Sequence, residues 1–395
     1  MICFERSKLP TIKASMKLNR LFLLLAALAQ FSTAARADLT SIFTNVAPAA
    51  TTALPRRASI IFIQIDGLGY GDLSCYGQTK FQTPNLDKLA AEGIRFTNYF
   101  ADGANSSSQA ALMFGKNSAP APDEITVAQL LKNSGYHTGL IGRWDLGDEN
   151  SGSAPWEKGF DEFAGYLNPA DANNSYADYM FRYAPRSKYN ETTKQFDTFI
   201  GRSGIYQNTG GQKGEFIPDL LTKAALNFVK INLPDRFNHY RPFFLLLNYK
   251  IPADRIIVPT DAPYSEESWP QPEKNKAALV SRIDGYVGQL QEQLQKIGMT
   301  NNLAIFFSSG SVPKKTALID PDFFHSNISA NDFRVPMIAC IAHWPMKNPA
   351  AGQVSDLKWS ARDFLPTAAE IAFAQSPTNI DGISVLPTLV GETGK

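Results

Sequence analysis

The sequence is poor in the residues on which disulfide frameworks and zinc sites depend. Its 395 residues include only three cysteines and four histidines, and basic and acidic residues nearly cancel to a net charge of +1. Cys3 falls within a predicted leader, so Cys75 and Cys340 remain, and we expect them to be buried free thiols. The near-zero charge argues against electrostatic capture of nucleic acid or of an anionic membrane.

The histidines also exclude a zinc-dependent hydrolase. None of the four stands at zinc-like spacing to another His, Asp or Glu, so a two-zinc phosphatase is ruled out. We expect structural or solvated roles for His137, His239, His325 and His343.

The N-terminal residues predict export. Lys17 and Arg20 precede a short apolar run, 21–28, which is followed by the small-residue motif Ala35-Arg36-Ala37. This pattern is typical of a secretory signal cleaved after Ala37, and the run is too short to anchor the chain in a bilayer. Residues 38–58 are rich in Ala, Thr and Pro and predict a linker. We therefore expect a secreted or periplasmic protein whose folded domain spans 59–395.

A buried strand followed by a glycine-rich turn organises that domain. Residues 59–66, SIIFIQID, are apolar and β-branched, and Gly67, Gly69 and Gly71 follow. Strands alternate with helical patterns along the rest of the chain, which predicts an α/β fold with a doubly wound, mostly parallel sheet flanked by helices. Ligands collect at the carboxyl ends of such strands, so Asp66 is a candidate metal or anion ligand.

Further elements follow from periodicity and capping. We expect helices at 84–91, with Thr83 as N-cap, and at 106–114, 125–132, 218–229, 272–297 and 359–373. Strands are expected at 94–99, 137–141, 243–249, 303–307 and 335–342. Residues 150–214 show little periodicity, and we interpret them as an insertion that covers one sheet face.

Several segments resemble the sulfatase family of the alkaline phosphatase superfamily. The likeness is colinear and is carried by residues 65–101, with the specific text TPNLDKLAAEGIRFT, and by 131–147, 158–167, 241–252, 277–290, 334–345, 363–372 and 381–391. The resemblance implies the alkaline phosphatase-like fold of the sulfatase N-terminal domain. It also implies sulfate-ester hydrolysis as the family reaction.

The nucleophile motif of that family is altered here. Sulfatases use a formylglycine hydrate made from Cys or Ser in a C/S-x-P-x-R motif at the start of a helix, where an anion is favoured. By register, Asn105 takes the nucleophile position, while Ser107 and Gln109 replace the Pro and the Arg. An amide cannot become the hydrated aldehyde, and Gln109 lacks the permanent charge of arginine. Ser106 is rotated by about 100° on the helix, so we expect residues 106–108 to serve as a cap.

The implied metal site is depleted as well. The family binds a calcium-like cation with two adjacent acids after the first strand and with Asp and Asn after a later one. Here the first pair is Asp66-Gly67 and the later pair is Ser309-Gly310, so Asp66 alone keeps a carboxylate. Calcium prefers 6–8 oxygen ligands including several carboxylates, and we expect weak calcium binding at best.

Groups that would position the sulfate are changed too. The family phrase G-K-W-H-L-G becomes 142–147, GRWDLG, so Arg143 keeps a positive charge while Asp145 places an anion where the family has histidine. An anion beside a sulfate is unfavourable. The Pro-His pair after the 243–249 strand becomes Pro252-Ala253, which removes the leaving-group acid.

Together these changes predict a sulfatase-fold protein that has lost turnover. It would bind sulfated carbohydrate or aryl ligands near Asp66, Asn105, Gln109 and Arg143. One alternative is an active ester hydrolase with a remodelled metal site, using Ser106 or Ser107 with Asp66, Asp102 or Asp145. Another is a scaffold or regulatory partner of an intact sulfatase, docked at the edge where the family continues into a smaller C-terminal unit. A gene product without a selected function is a further alternative.

Overall fold

The structure is a computed structural model. It describes residues 57–101, 108–118, 121, 123–168, 170–233, 241–253, 255–313, 333–342 and 351–392, without the side chains of 186–188. The predictions for the signal and linker, residues 1–56, lie outside these ranges. Asn105, Ser106, Ser107 and Asp102 also lie outside them, as do the last three histidines.

The described residues form twelve strands. They are β1 (Ser59–Asp66), β2 (Ile94–Phe96), β3 (Tyr99–Phe100), β4 (His137–Arg143), β5 (Glu162–Tyr166), β6 (Tyr179–Asn190), β7 (Gln195–Gly204), β8 (Phe243–Lys250), β9 (Leu303–Ser308), β10 (Met337–Ala342), β11 (Gln353–Ser355) and β12 (Trp359–Ser360). Ten of them make one sheet in the order β11-β2-β10-β9-β1-β8-β4-β5-β6-β7, and β3 pairs with β12.

Helices flank this sheet. They are α1 (Pro84–Glu92), α2 (Ser108–Phe114), α3 (Val127–Asn133), α4 (Ile217–Ile231), α5 (Gln271–Lys296), α6 (Phe364–Ile371) and α7 (Leu386–Leu389). None of the helices in the described part of the chain is long and apolar enough to cross a membrane. Cys75 and Cys340 are free thiols, as expected, and both are partly buried.

The centre of the sheet is parallel because its strands are covered on both faces. β9, β1, β8, β4 and β5 run parallel, and every residue of β1 is buried. Alternate residues of β1 serve two different cores: Phe62 packs with α2, α3 and α6, whereas Ile63 packs with α4 and α5. The predicted α/β fold with its mostly parallel sheet flanked by helices is confirmed.

Residues 150–214 extend the sheet, so the predicted insertion over one face is wrong. β5 adds to the parallel centre, and β6 and β7 continue it as antiparallel strands at the edge. The sequence did not reveal these strands because β7 is exposed along most of its length and lacks apolar alternation.

Thr83 is the N-cap residue of α1, as predicted, although its hydroxyl accepts a hydrogen bond from the Ser74 amide and makes no side-chain cap to the helix. Two other local predictions need correction. The strand expected at 94–99 is split into β2 and β3, and the helix expected at 359–373 begins only at Phe364, after β12 and a 3-10 turn.

A buried ion pair fixes the glycine-rich turn after β1. Asp72 accepts a hydrogen bond from the Gly69 amide at 2.6 Å, and its other oxygen lies 2.9 Å from Lys276 Nζ on α5. The two side chains are 0% and 1% exposed. The turn that follows Asp66 is therefore tied to the longest helix by a charge pair that water does not screen.

Removing one partner of this pair should be costly. We expect Lys276→Ala to lower the free energy of unfolding by about 3–5 kcal/mol, because Asp72 would remain as an uncompensated buried charge. Urea denaturation measures the change. As a control, Lys296→Ala removes the exposed pair with Glu292 on the same helix and should cost about 0–1 kcal/mol. Equal effects of the two variants would contradict this assignment.

Candidate functional site

An arginine lies between two carboxylates at the carboxyl edge of the sheet. Arg143, which ends β4, forms ion pairs through Nη1 with Asp66 at the end of β1 and through Nη2 with Asp145. Its Nε also donates to Asp145 Oδ1 at 2.5 Å. The side chains of Arg143, Asp66 and Asp145 are 13%, 8% and 6% exposed, so this acid–arginine–acid cluster is largely shielded from water.

The backbone before Arg143 requires glycine. Gly142 has φ 115°, in the left-handed region, and a Cβ there would overlap the backbone of Asn248 on β8. Burial lowers the pKa of Arg143 to about 10, which still leaves the guanidinium charged at neutral pH. The cluster therefore contains two carboxylates and one permanent cation.

Gln109 on α2 forms hydrogen bonds to the backbone at the end of β4. Its Nε2 donates to the carbonyl oxygen of Arg143 at 3.0 Å, and its Oε1 accepts from the amide of Asp145 at 2.7 Å. The side chain is 3% exposed. Both ends of the amide are thus used to hold the backbone on which the acid–arginine–acid cluster stands.

Ser309 is used in a similar way. Its Oγ lies 2.6 Å from the Ile65 carbonyl and 2.7 Å from the Ser311 carbonyl, and it accepts from the Leu68 amide at 3.3 Å. The hydroxyl thus joins the loop after β9 to the loop after β1. These backbone contacts compete with any role as a metal ligand.

Gly310 makes room for polar side chains of β1. A Cβ at this position would overlap both the Gln64 amide and the Asp66 carboxylate, so these two groups lie against the glycine. Gln64 is paired in register with Asn248 on β8, and both are buried. Gln64 Oε1 and Asn248 Oδ1 have no hydrogen-bond partner in the described part of the chain. Two buried amide oxygens therefore lie at this end of the sheet with unused acceptor capacity.

A cavity of about 240 Å³ opens beside Asp66, at the ends of β1 and β8. Lys250, the last residue of β8, lines it together with Lys276 and Ala253. The other described lining residues are apolar or neutral: Gly67, Asn173, Ile251, Pro252, Ile256, Ser311, Val312 and Pro313. Lys250 thus places a cationic side chain on the cavity wall, whereas the charge of Lys276 is paired with buried Asp72. A methyl group, that of Ala253, stands where the sulfatase resemblance implies a histidine.

The structure brings together most of the residues singled out from sequence. Asp66, Gln109, Arg143, Asp145, Ser309 and Gly310 all lie at one edge of the sheet, whereas Asn105 falls outside the described residues. Sequence reasoning missed Lys250, Gln64 and Asn248. Each is a polar residue in an otherwise apolar strand, and that interruption is a signal that could have indicated them.

A metal ion of the kind implied by the resemblance does not fit this donor set. The described residues contain no group of three or more His, Cys, Asp or Glu side chains that could hold one. Asp66 is bound to an arginine, Ser309 makes hydrogen bonds to backbone groups, and Gly310 has no side-chain ligand. An oxygen-rich calcium shell needs several ligands that are not already engaged.

The parallel sheet, with an acid at the end of β1 and with α2 beginning at Ser108, defines an alkaline phosphatase-like hydrolase fold. The sulfatase family model matches residues 58–373. The chain therefore belongs to the sulfatase family, whose reaction is sulfate-ester hydrolysis and whose members usually use a metal ion, calcium.

Similar proteins of known name are sulfatases. Human N-acetylgalactosamine-6-sulfatase is 27% identical over 85% of this chain and 66% of its own length. Human arylsulfatase A is 27% identical over 89% of this chain and 71% of its own length. The chain thus spans about two thirds of these enzymes, slightly less for the first.

A solved structure extends the comparison to sugar complexes. The crystal structure of Ps i-CgsB in complex with k-i-k-neocarrahexaose has a TM-score of 0.67 and is 26% identical, covering 86% of this chain and 77% of the other. The match supports the same fold over nearly all of the folded part.

Gln109 should matter for stability through its two backbone contacts. We expect Gln109→Leu to lower the free energy of unfolding by about 1–3 kcal/mol, because it leaves the buried amide of Asp145 unpaired. Chemical denaturation measures the loss. Gln295→Ala, at an exposed position of α5, is the control and should change stability by less than about 0.5 kcal/mol. If Gln109→Leu left the free energy of unfolding unchanged, the side-chain amide of Gln109 would not stabilise the end of β4.

Proposed function

We propose that this sulfatase-family chain binds a sulfated carbohydrate without hydrolysing the ester. Its target is a sulfate-bearing sugar unit at the cavity beside Asp66. We further propose that the chain is exported, on the signal sequence predicted within residues 1–37, so that it meets such ligands outside the cytoplasm.

One observation supports the proposed loss of turnover: side chains at the family's catalytic positions form hydrogen bonds and ion pairs within the protein. Arg143 is held by Asp66 and Asp145, Gln109 by the β4 backbone, and Ser309 by the loop after β1. Groups that act on a substrate need donors and lone pairs directed at the reacting atoms. Asn105 at the nucleophile position adds the chemical reason, since an amide cannot form the covalent sulfate intermediate.

The cavity supports retained binding. Arg143 was the expected sulfate contact, but its guanidinium is bound by two carboxylates. We assign the anion contact to Lys250 because its side chain lines the cavity. This lysine lies on the cavity wall beside Gly67 and Ser311, whose amide-to-hydroxyl hydrogen bond of 3.1 Å closes one side. At about 240 Å³ the cavity lies below the usual range for drug-sized ligands, about 300–1,000 Å³, and suits one sulfated sugar unit.

The relatives support the ligand class. Ps i-CgsB was crystallised with k-i-k-neocarrahexaose, and the human relative N-acetylgalactosamine-6-sulfatase is named for a sulfated N-acetylgalactosamine. A charged lysine with nearby hydroxyl and amide groups has the chemistry to recognise a sulfate on a sugar ring.

The turnover part of the proposal is tested by sulfate release. The purified chain, at micromolar concentration with CaCl2, is incubated with 4-nitrophenyl sulfate and with N-acetylgalactosamine 6-sulfate. We expect no release above the background without protein, because nucleophile and metal ligands are both replaced. Release that disappears in Asp66→Ala would contradict the proposal and favour an active hydrolase with a remodelled site.

The binding part is tested by calorimetry with neocarrahexaose and its desulfated form. We expect the sulfated ligand to bind more tightly, and Lys250→Met to weaken its affinity by about 10-fold or more, since a charge-assisted hydrogen bond is lost. Lys88→Met, at an exposed position of α1, is the matched control and should leave affinity unchanged. Equal affinity for sulfated and desulfated ligands, or none for either, would overturn the proposal.

A further inference from the structure

The strand ends that meet at the site carry converging negative charges. Asp66 closes β1, and Asp145 follows β4, with β8 lying between these two strands in the sheet. Two carboxylates at 8% and 6% exposure repel one another unless a cation lies between them. A metal ion is the usual solution where acids meet at the carboxyl edge of such a sheet.

In this protein the cation is a side chain. Three nitrogens of the Arg143 guanidinium, Nε, Nη1 and Nη2, are directed at the two carboxylates, two at Asp145 and one at Asp66. The planar guanidinium fork matches a carboxylate bidentately, and its charge persists in a buried setting. Arg143 thus joins the ends of β1 and β4 through charge, as a metal ion would.

The neighbouring substitutions fit an arginine better than a metal. Gly310 has no side-chain donor and leaves space that the Gln64 amide and the Asp66 carboxylate occupy. Ser309 is bound to backbone groups. The backbone carbonyl of Arg143 is held by Gln109 and Asn248 at 3.0 and 3.1 Å, so the strand end that bears the guanidinium is itself fixed.

We propose that Arg143 is a built-in cation that replaces the metal ion of the sulfatase site. The folded chain is then complete without a divalent cation. Removing the guanidinium would convert the same place into a cation site formed by Asp66 and Asp145, with the buried oxygen of Gln64 nearby as a further ligand. This inference depends on the acid–arginine–acid cluster and not on the proposed function.

The experiment compares thermal unfolding of the full chain in EDTA and in 10 mM CaCl2, at about neutral pH. We expect the wild-type Tm to be the same in both. Arg143→Ala should have a lower Tm in EDTA, because two buried carboxylates face each other, and should regain at least about 2 °C in CaCl2. Calorimetric titration with CaCl2 should give one site in Arg143→Ala and none in the wild type.

A matched control separates metal binding from loss of any ion pair. Arg282 pairs with Asp219 at 2.8 Å, and its side chain contacts this one carboxylate and Tyr286. Arg282→Ala should therefore lose stability without responding to calcium. If Arg143→Ala does not fold in EDTA, refolding of the denatured variant in CaCl2 and in EDTA makes the same comparison.

Two results would overturn the inference. The first is stoichiometric calcium binding by the wild type, which would mean that a metal displaces Arg143 from the acids. The second is an Arg143→Ala variant that does not respond to CaCl2 in unfolding, refolding or titration. Neither depends on sugar binding or sulfate release, so failure here is distinguishable from failure of the proposed function.

Discussion

The acid–arginine–acid cluster is the constraint on which the rest of the site depends. Its two carboxylates belong to different strand ends, so the arginine between them sets where those ends lie. Gln109 and Asn248 hold the backbone of Arg143, and Gly142 supplies the left-handed conformation that precedes it. Arg143 is thus part of the internal framework that fixes these strand ends.

Pairing within the chain explains how the buried acids at this edge of the sheet are accommodated. A buried acid left without its metal would be destabilising, because an unpaired charge in a shielded site costs several kcal/mol. Pairing Asp66 with Arg143 removes that cost locally. The same logic holds one turn further on, where Asp72 is buried against Lys276. Charges at this edge of the sheet are thus balanced by side chains of the chain itself.

Much of the fold could be predicted because buried parallel strands leave an unambiguous pattern. β1, β8 and β9 are apolar runs bounded by turns. The alternation of strands and helices along the chain is compatible with few topologies. β6 and β7 could not be predicted, because an exposed edge hairpin needs no apolar alternation. That Asp66, Arg143 and Asp145 lie near one another could also be expected, since each stands at or just after the end of a buried strand. Which of them pair could not be predicted, because pairing depends on side-chain directions that the strand ends alone do not specify.

The engagement of Arg143 by two carboxylates directs attention to Lys250, the cationic residue at the end of β8. With Arg143 engaged by two carboxylates, an anion entering the cleft meets the next cation along the sheet edge, at the end of β8. Asp66 and Lys250 are register partners on adjacent parallel strands, so an acidic and a basic residue end neighbouring strands next to the cavity that Lys250 lines. A ligand with both sulfate and hydroxyl groups suits such a mixed edge better than a bare anion, since the sulfate can face lysine while hydroxyls face the neutral lining.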